Sequence, residues 1–279
     1  MRRIPDWTSL DATARQRWRA SARERAGLLN AELNAFVAIE PAKAHVGGAL
    51  GGMPYAAKDM LRTLTHQPNG GLAEAGDLGI VGNSDLLDRL DQAGADRIGF
   101  TQMTELAYEP SGFNASQGRV KNPWSLDRVS GGSSSGSAAT VASGAVAAAL
   151  GSDTGGSLRI PAHCCGITAW KPTYGLISTR GAMPLAPSLD TVGVLARSAA
   201  DLLPLAAILA DLPPSRPIRN VVVFRDVAAL CATDIAQACT DLARMLLDIG
   251  TTIEHRDALS AIEAIDAHAL DVFGRFQSL

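Results

Sequence analysis

A segment rich in glycine, serine and alanine, residues 131–157, constrains the fold of this chain more than any other. Its middle part, Ser137–Leu150, contains mostly small residues, which predicts a buried helix that neighbouring backbone can approach closely, broken at Gly151–Asp153. Ser133 stands near the start of the segment, and Ser157 ends it after two consecutive glycines. Together with a lysine upstream, these two serines are candidates for a nucleophile, a relay and a base.

Helix and strand patterns alternate along the rest of the chain, which predicts an α/β fold. The segment Leu212–Pro217 is the only plausible hinge between sub-lobes, and the last residues, Leu259–Phe276, have a helical pattern. We predict one long or two broken helices in Ala12–Phe36, helices at Asn83–Ala93 and Asp234–Asp248, and strands at Arg97–Thr101, Val221–Phe224 and Thr251–Glu254. An ordinary glycine turn at residues 155–156 would add a strand at Leu158–Ile160.

Charge and hydropathy argue against several classes of protein. A net charge of -3 gives no electrostatic basis for binding nucleic acid, and no window has the roughly 18 apolar residues that a membrane span needs. Residues 4–7 are polar where a secretory signal would be apolar, so we expect a cytoplasmic protein. The cysteines lack a C-x-x-C spacing, which predicts buried reduced thiols and no metal site; they are Cys164, Cys165, Cys231 and Cys239.

Lysine is rare in this chain, with four lysines among the 25 basic residues. One of the four, Lys58, has apolar neighbours on both sides, which predicts burial. A buried ammonium group loses its proton far more easily than a guanidinium group, so Lys58 is a candidate general base. The alternative is a structural lysine paired with Asp59 or with another carboxylate.

Ser157 is a candidate nucleophile on a glycine turn, although an ordinary turn leading into a strand explains the same residues. The turn offers backbone N–H groups to a developing oxyanion, from Thr154, Gly155, Gly156 and Ser157.

Segment 132–136 also fits G-x-S-x-G, which would make Ser134 the nucleophile of an α/β-hydrolase. An α/β-hydrolase needs an apolar strand before this motif and a catalytic histidine after it. Residues 122–128 are rich in turn residues instead, and we expect the later histidines to lie in the core (His163) or at the surface (His255 and His268). The Walker pattern of a P-loop is absent, because no lysine follows Gly136, which makes phosphate binding a minor alternative.

The joint pattern strongly resembles the amidase signature family of serine hydrolases, from about Leu33 to Leu202. The motifs that carry the resemblance are 33–36, 51–59, 93–95, 121–124, 131–144, 151–162 and 170–175. The resemblance implies a mixed sheet covered by helices on both faces, and hydrolysis of a small-molecule amide through an acyl-enzyme without metal or organic cofactor. It further implies Ser157 as nucleophile, Ser133 as a relay on a cis peptide, Lys58 as base, and the Thr154–Ser157 backbone as oxyanion hole.

Two residues and the length depart from the family pattern. Ser135 stands where the family usually has glycine, and we expect it to crowd the relay loop slightly. Phe100 stands where the family often has lysine, and we expect this difference to affect only packing. Family members are usually longer, so we expect one amidase-like domain over residues 1–279, C-terminally incomplete, with its catalytic core at 33–202 and a truncated lobe at 213–279. The alternatives are a shortened, non-catalytic relative and a subunit of a glutamine-dependent amidotransferase. Assembly into a homo-oligomer is left open.

Overall fold

The computed structural model describes residues 4, 7, 9–42, 47–74, 76–214 and 216–258. By its internal contacts the chain forms two compact units, residues 1–212 and 213–279. Their boundary falls in the segment where the sequence predicts a hinge. The helix predicted at 259–276, together with His268, lies outside the described residues.

The first unit is built around a six-stranded sheet. In chain order its elements are α1 (Ala12–Leu33), β1 (Phe36–Ile39), β2 (Pro54–Lys58), α2 (Asp85–Gln92), β3 (Asp96–Thr101), a short 3-10 turn (Glu105–Ala107), β4 (Lys121–Asn122), β5 (Ser125–Val129), α3 (Ser135–Ala142), β6 (Ala148–Asp153), α4 (Arg159–Cys164), β7 (Thr168–Trp170), β8 (Thr191–Ala196) and α5 (Ala199–Leu209).

The strand order of the sheet is β1-β3-β2-β6-β8-β7. The three central strands β3, β2 and β6 are parallel, whereas β1, β8 and β7 pair antiparallel to their neighbours. The carboxyl ends of parallel strands meet at one edge of a sheet, and that edge is the usual place for a site in an α/β fold. Lys58 ends β2, and Asp153 ends β6, so both reach this edge.

Both faces of the sheet are covered by helices, as the sequence predicts for the fold class. Successive side chains of β2 alternate between two cores, with Tyr55 in one and Ala56 in the other. The Tyr55 side packs against apolar residues of α2 and α5, and the Ala56 side against small residues of α1 and α3. The fold is therefore a mixed α/β sheet between two helical layers.

The predicted helix at Ser137–Leu150 is only half correct. Helix α3 ends at Ala142, Gly144 takes a left-handed conformation with φ 75°, and the chain then forms strand β6. Small apolar residues fit a central strand as well as a buried helix, and periodicity cannot separate the two. Residues 151–153 are accordingly part of β6 instead of a break.

Four other expectations from the sequence are wrong. Residues 158–160 are not a strand, because α4 begins there, and residues 122–128 contribute to the β4–β5 hairpin instead of a loop. His163 is exposed instead of buried. Cys231 and Cys239 are exposed, whereas Cys165 is buried and Cys164 partly so.

Helices α1 and α2 match the expected positions closely. The Ser84 hydroxyl accepts a hydrogen bond from the Leu87 N–H and caps α2, whose three leucines are buried as predicted. In α1 the buried face consists of Ala22, Ala26 and Leu33, while Leu28 is 70% exposed although it is apolar.

The second unit contains β9 (Asn220–Phe224), α6 (Arg225–Ala228), α7 (Thr233–Asp248) and β10 (Thr252–Arg256). β9 and β10 are parallel, with Asn220 opposite Thr252. The predicted strands and the predicted helix are found here to within two residues, and His255 is exposed as expected. None of the helices in the described part of the whole chain is long and apolar enough to cross a membrane.

Candidate active site

Lys58 is completely buried at the carboxyl end of β2. Its Nζ donates hydrogen bonds to Ser133 Oγ at 2.6 Å and to Ser152 Oγ at 2.9 Å. Asp59 does not pair with it, because the Asp59 carboxylate bonds instead to His66 Nε2 at 2.7 Å and to the Asn69 N–H. The structural alternative of a Lys58–Asp59 ion pair is therefore wrong.

Burial changes the acid–base properties of this lysine. Desolvation lowers the pKa of Lys58 to about 7, against a partial upward effect of the negative charges of Asp153 and Asp190. Near neutral pH the Lys58 amine is uncharged in a large share of the molecules, and an uncharged amine accepts a proton from a hydroxyl group. The neutral form can receive a hydrogen bond from the Ser133 O–H, so the pair is suited to general base catalysis.

The loop that carries Ser133 is held by tight backbone packing. The peptide bond between Gly132 and Ser133 is cis, in agreement with what the resemblance implies. A Cβ on Gly132 would lie 2.7 Å from the Glu109 carbonyl oxygen, so no larger residue fits there. The Ser133 carbonyl accepts from the Thr104 N–H at 3.3 Å. This packing fixes the direction of the Ser133 hydroxyl toward Lys58.

Ser157 follows β6 on a turn that one carboxylate organises. Asp153 accepts hydrogen bonds from the N–H groups of Gly156 and Leu158 and from the guanidinium group of Arg159. Burial opposes ionisation of Asp153, but the Arg159 and Leu158 bonds outweigh it and hold the pKa of this carboxyl below its usual range. The turn is also joined to the Ser133 loop, because the Ser134 N–H donates to the Ser157 carbonyl at 3.3 Å.

The structure brings the two serine loops together, but the Ser157 hydroxyl and the Gly156 N–H differ from what the family resemblance implies. Ser157 is partly exposed, and its hydroxyl makes no hydrogen bond to Ser133 or to another described residue. The Gly156 N–H is engaged by Asp153 at 2.8 Å, so in this conformation it is not free for an oxyanion. The N–H groups of Thr154, Gly155 and Ser157 donate to none of the described residues, which leaves them open to a ligand.

Three functional residues were missed by sequence reasoning. Ser152 binds Lys58, Asp153 organises the turn, and Asp190 accepts from the Thr154 hydroxyl at 2.6 Å and from the N–H groups of Leu185 and Ala186. The only sequence signal was the position of Ser152 and Asp153 just before the glycine turn. Nothing in the sequence relates Asp190 to a turn 36 residues earlier.

Other residues considered from the sequence fall outside the candidate site. Ser134, the alternative nucleophile, is buried, and its hydroxyl bonds to the backbone of Ser152. Phe100 is buried and stacks on His66 with ring centroids 3.5 Å apart, so its role is packing as expected. Ser135 is buried, and its hydroxyl has no hydrogen-bond partner among the described residues.

Comparison with known proteins agrees with this geometry. The family model Amidase matches residues 22–243, which include the whole candidate site. The chain belongs to the amidase family. Among curated relatives, it is 36% identical over 271 residues to the glutamyl-tRNA(Gln) amidotransferase A subunit of Chromohalobacter salexigens, covering 90% of this chain and 55% of the relative. It is 43% identical over 149 residues to amidase 1 of Arabidopsis thaliana, covering 53% of this chain and 35% of that protein.

Solved structures of amidase-family proteins share the fold. The glutamyl-tRNA(Gln) amidotransferase A subunit from Thermotoga maritima superimposes with a TM-score of 0.82 at 27% identity, over 92% of this chain and 61% of that one. A peptide amidase in complex with chymostatin superimposes with a TM-score of 0.75 at 25% identity, over 89% of this chain and 61% of that one. The amidase-family chain thus spans about half the length of the curated relatives it matches.

Proposed function

We propose that this chain hydrolyses a carboxamide through a serine acyl-enzyme, with Ser157 as nucleophile, Ser133 as proton relay and Lys58 as base. The observation that carries the proposal is the 2.6 Å contact between Lys58 Nζ and Ser133 Oγ in a completely buried site. Membership of the amidase family supports the same reaction class.

The contact between Lys58 and Ser133 supports one leg of the proposed proton path, and the transfer from Ser157 to Ser133 is the proposed second leg. In the neutral state, Lys58 accepts the Ser133 hydroxyl proton while Ser133 Oγ takes the proton of Ser157. Ser157 Oγ then forms a bond to the carbonyl carbon of the amide, and the negative charge moves to the carbonyl oxygen. The uncommitted N–H groups of Thr154, Gly155 and Ser157 are the proposed oxyanion hole, and Gly156 joins them only if its bond to Asp153 opens.

The same path then runs in reverse. Lys58 returns its proton through Ser133 to the leaving nitrogen, the C–N bond breaks, and the acyl group stays on Ser157 as an ester. A water molecule gives its proton to Ser133 and attacks the ester carbonyl, which releases the carboxylate and restores the serine. Ser152 holds Lys58 on its second side and thereby keeps Nζ aimed at the relay.

The first test is labelling of the purified chain by a fluorophosphonate probe, followed by peptide mass mapping. We expect an adduct on Ser157, its absence in Ser157→Ala, and strongly reduced labelling in both Lys58→Ala and Lys58→Arg, since arginine does not accept the proton. Lys121→Ala is the matched control and should be labelled at the wild-type rate. A folded chain without a Ser157 adduct would instead support the shortened, non-catalytic alternative.

A second candidate function is suggested by the relatives. Several curated matches are A subunits of glutamyl-tRNA(Gln) amidotransferases, with identities of 36–42%. Under this alternative the same site would release ammonia from glutamine and transfer it with the help of a second subunit. Glutaminase activity that appears only when a partner protein is added would favour this function over independent amide hydrolysis.

A further inference from the structure

A cavity of about 410 Å³ is lined by two neighbours of the proposed catalytic residues and is large enough for a small-molecule ligand. Ser152 and Thr154 line it at the catalytic end. Resting on the proposed function, we infer that this cavity binds the acyl part of the substrate, and that the substrate is an amide with an uncharged, apolar acyl chain instead of an amino acid such as glutamine.

The deep wall of the cavity is apolar. The side chains of Met60, Ala107, Met183 and Val192 line it, and each is at most 5% exposed. Val81 also lines the cavity but is 78% exposed, which marks the solvent side. An acyl chain that extends from the serine turn would therefore remove apolar surface from water along its length.

Two charged residues stand among the described residues of the cavity lining, and both already have partners. Arg180 Nη1 donates to Asp85 at 2.9 Å, and its side chain is 60% exposed, so it belongs to the mouth. Asp190 accepts from three donors: the Thr154 hydroxyl, the Leu185 N–H and the Ala186 N–H, which both carboxylate oxygens share. Both oxygens of Asp190 are therefore already hydrogen-bonded within the protein.

Glutamine carries an ammonium and a carboxylate group besides its side-chain amide, and each charged group needs a partner when it leaves water. Among the described residues that line the cavity, both charged side chains, Arg180 and Asp190, already have partners within the protein. An alkyl chain has no such requirement and matches the apolar wall. The cavity thus favours hexanamide over both acetamide and glutamine.

The test compares acetamide, butyramide, hexanamide and glutamine as substrates of the purified chain. Each methylene that enters the cavity should raise kcat/KM by about fourfold, so hexanamide, with four more methylenes than acetamide, should exceed acetamide by about 250-fold when all four enter. Val81→Asp adds a charge at the mouth and should reduce the hexanamide-to-acetamide ratio. Leu64→Asp, at a site that is 89% exposed and does not line the cavity, should leave that ratio unchanged.

Binding separates this inference from the proposed function. Ligand-observed NMR on Ser157→Ala should show hexanamide binding more tightly than acetamide, whether or not the wild-type chain turns over either amide. Ser157 labelling combined with a flat chain-length series, or with a preference for glutamine, would overturn the cavity assignment and leave the serine mechanism intact. Length-dependent binding without Ser157 labelling would overturn the mechanism and retain the cavity.

Discussion

The lowered pKa of Lys58 leads to a quantitative prediction for the pH dependence of the reaction. The active form of the proposed base is the neutral amine, so activity is lost as pH falls through the pKa and the amine becomes charged. With a pKa of about 7, the rate should be half-maximal near pH 7 and level above pH 8.

The magnitude follows from the fraction of neutral lysine. At a pKa of about 7 this fraction is about 9% at pH 6 and about 99% at pH 9, so the rate constant should rise about elevenfold over that range. A lysine at the ordinary value of 10.5 would give a rise of about a thousandfold over the same range, without a plateau. The two cases differ by about two orders of magnitude.

The assay is the second-order rate constant for fluorophosphonate labelling of Ser157 between pH 5.5 and 9.5 at constant ionic strength. A phosphonylating probe is preferable to an amide here, because it has no leaving nitrogen whose protonation adds a second pH effect. A rate constant that rises tenfold per pH unit up to pH 9, or one that does not vary with pH, would refute the assignment of a neutral Lys58 as base.

Three further predictions concern the surroundings of the site. Asp190→Asn and Thr154→Val should each lower the labelling rate about tenfold, because each removes the charge-assisted hydrogen bond between Thr154 and Asp190. Only Asp190→Asn should also shift the fall in rate at acid pH to lower pH, because it removes a negative charge that raises the pKa of Lys58. Gly136→Ala should reduce the free energy of unfolding by about 2 kcal/mol or more in urea denaturation, because its Cβ would lie 2.3 Å from a carbonyl oxygen, whereas Gly155→Ala meets no atom within 4 Å and should be neutral. Ser135→Ala should raise the free energy of unfolding by about 1 kcal/mol, since it removes a buried hydroxyl without a partner, and an unchanged denaturation midpoint would argue against that reasoning.

Local signals predicted several elements well. Helix α2 has a serine cap before it and three apolar residues on one face, so both its start and its buried side could be read from the sequence. Lys58 was singled out by the scarcity of lysine and by apolar neighbours, and it is fully buried. The fold class followed from the alternation of elements and from the resemblance.

Other parts of the site depend on which strands are neighbours, and a single sequence does not contain that information. Ser152 reaches Lys58 because β6 pairs in parallel with β2, and the small residues of β6 are equally compatible with a helix. Asp190 reaches Thr154 because β8 pairs antiparallel with β6, bringing Asp153 opposite Thr191. Strand pairing, and not a local motif, therefore brings Ser152 and Asp190 to the candidate site.

The carboxylate of Asp153 has a consequence for how the chain responds to acid. The pKa of the Asp153 carboxyl is held below its ordinary value. Its hydrogen bonds to the serine turn are therefore fully present above about pH 4 and are lost only as the pH falls further. Lys58 takes up its proton around pH 7. Between about pH 4 and 6 we therefore expect the turn to stay assembled while about nine-tenths or more of Lys58 is protonated, so the proposed reaction should be slow in this range. We expect return to neutral pH to restore the labelling rate of Ser157 through loss of one proton from Lys58, so the proposed site would respond reversibly to brief acidification.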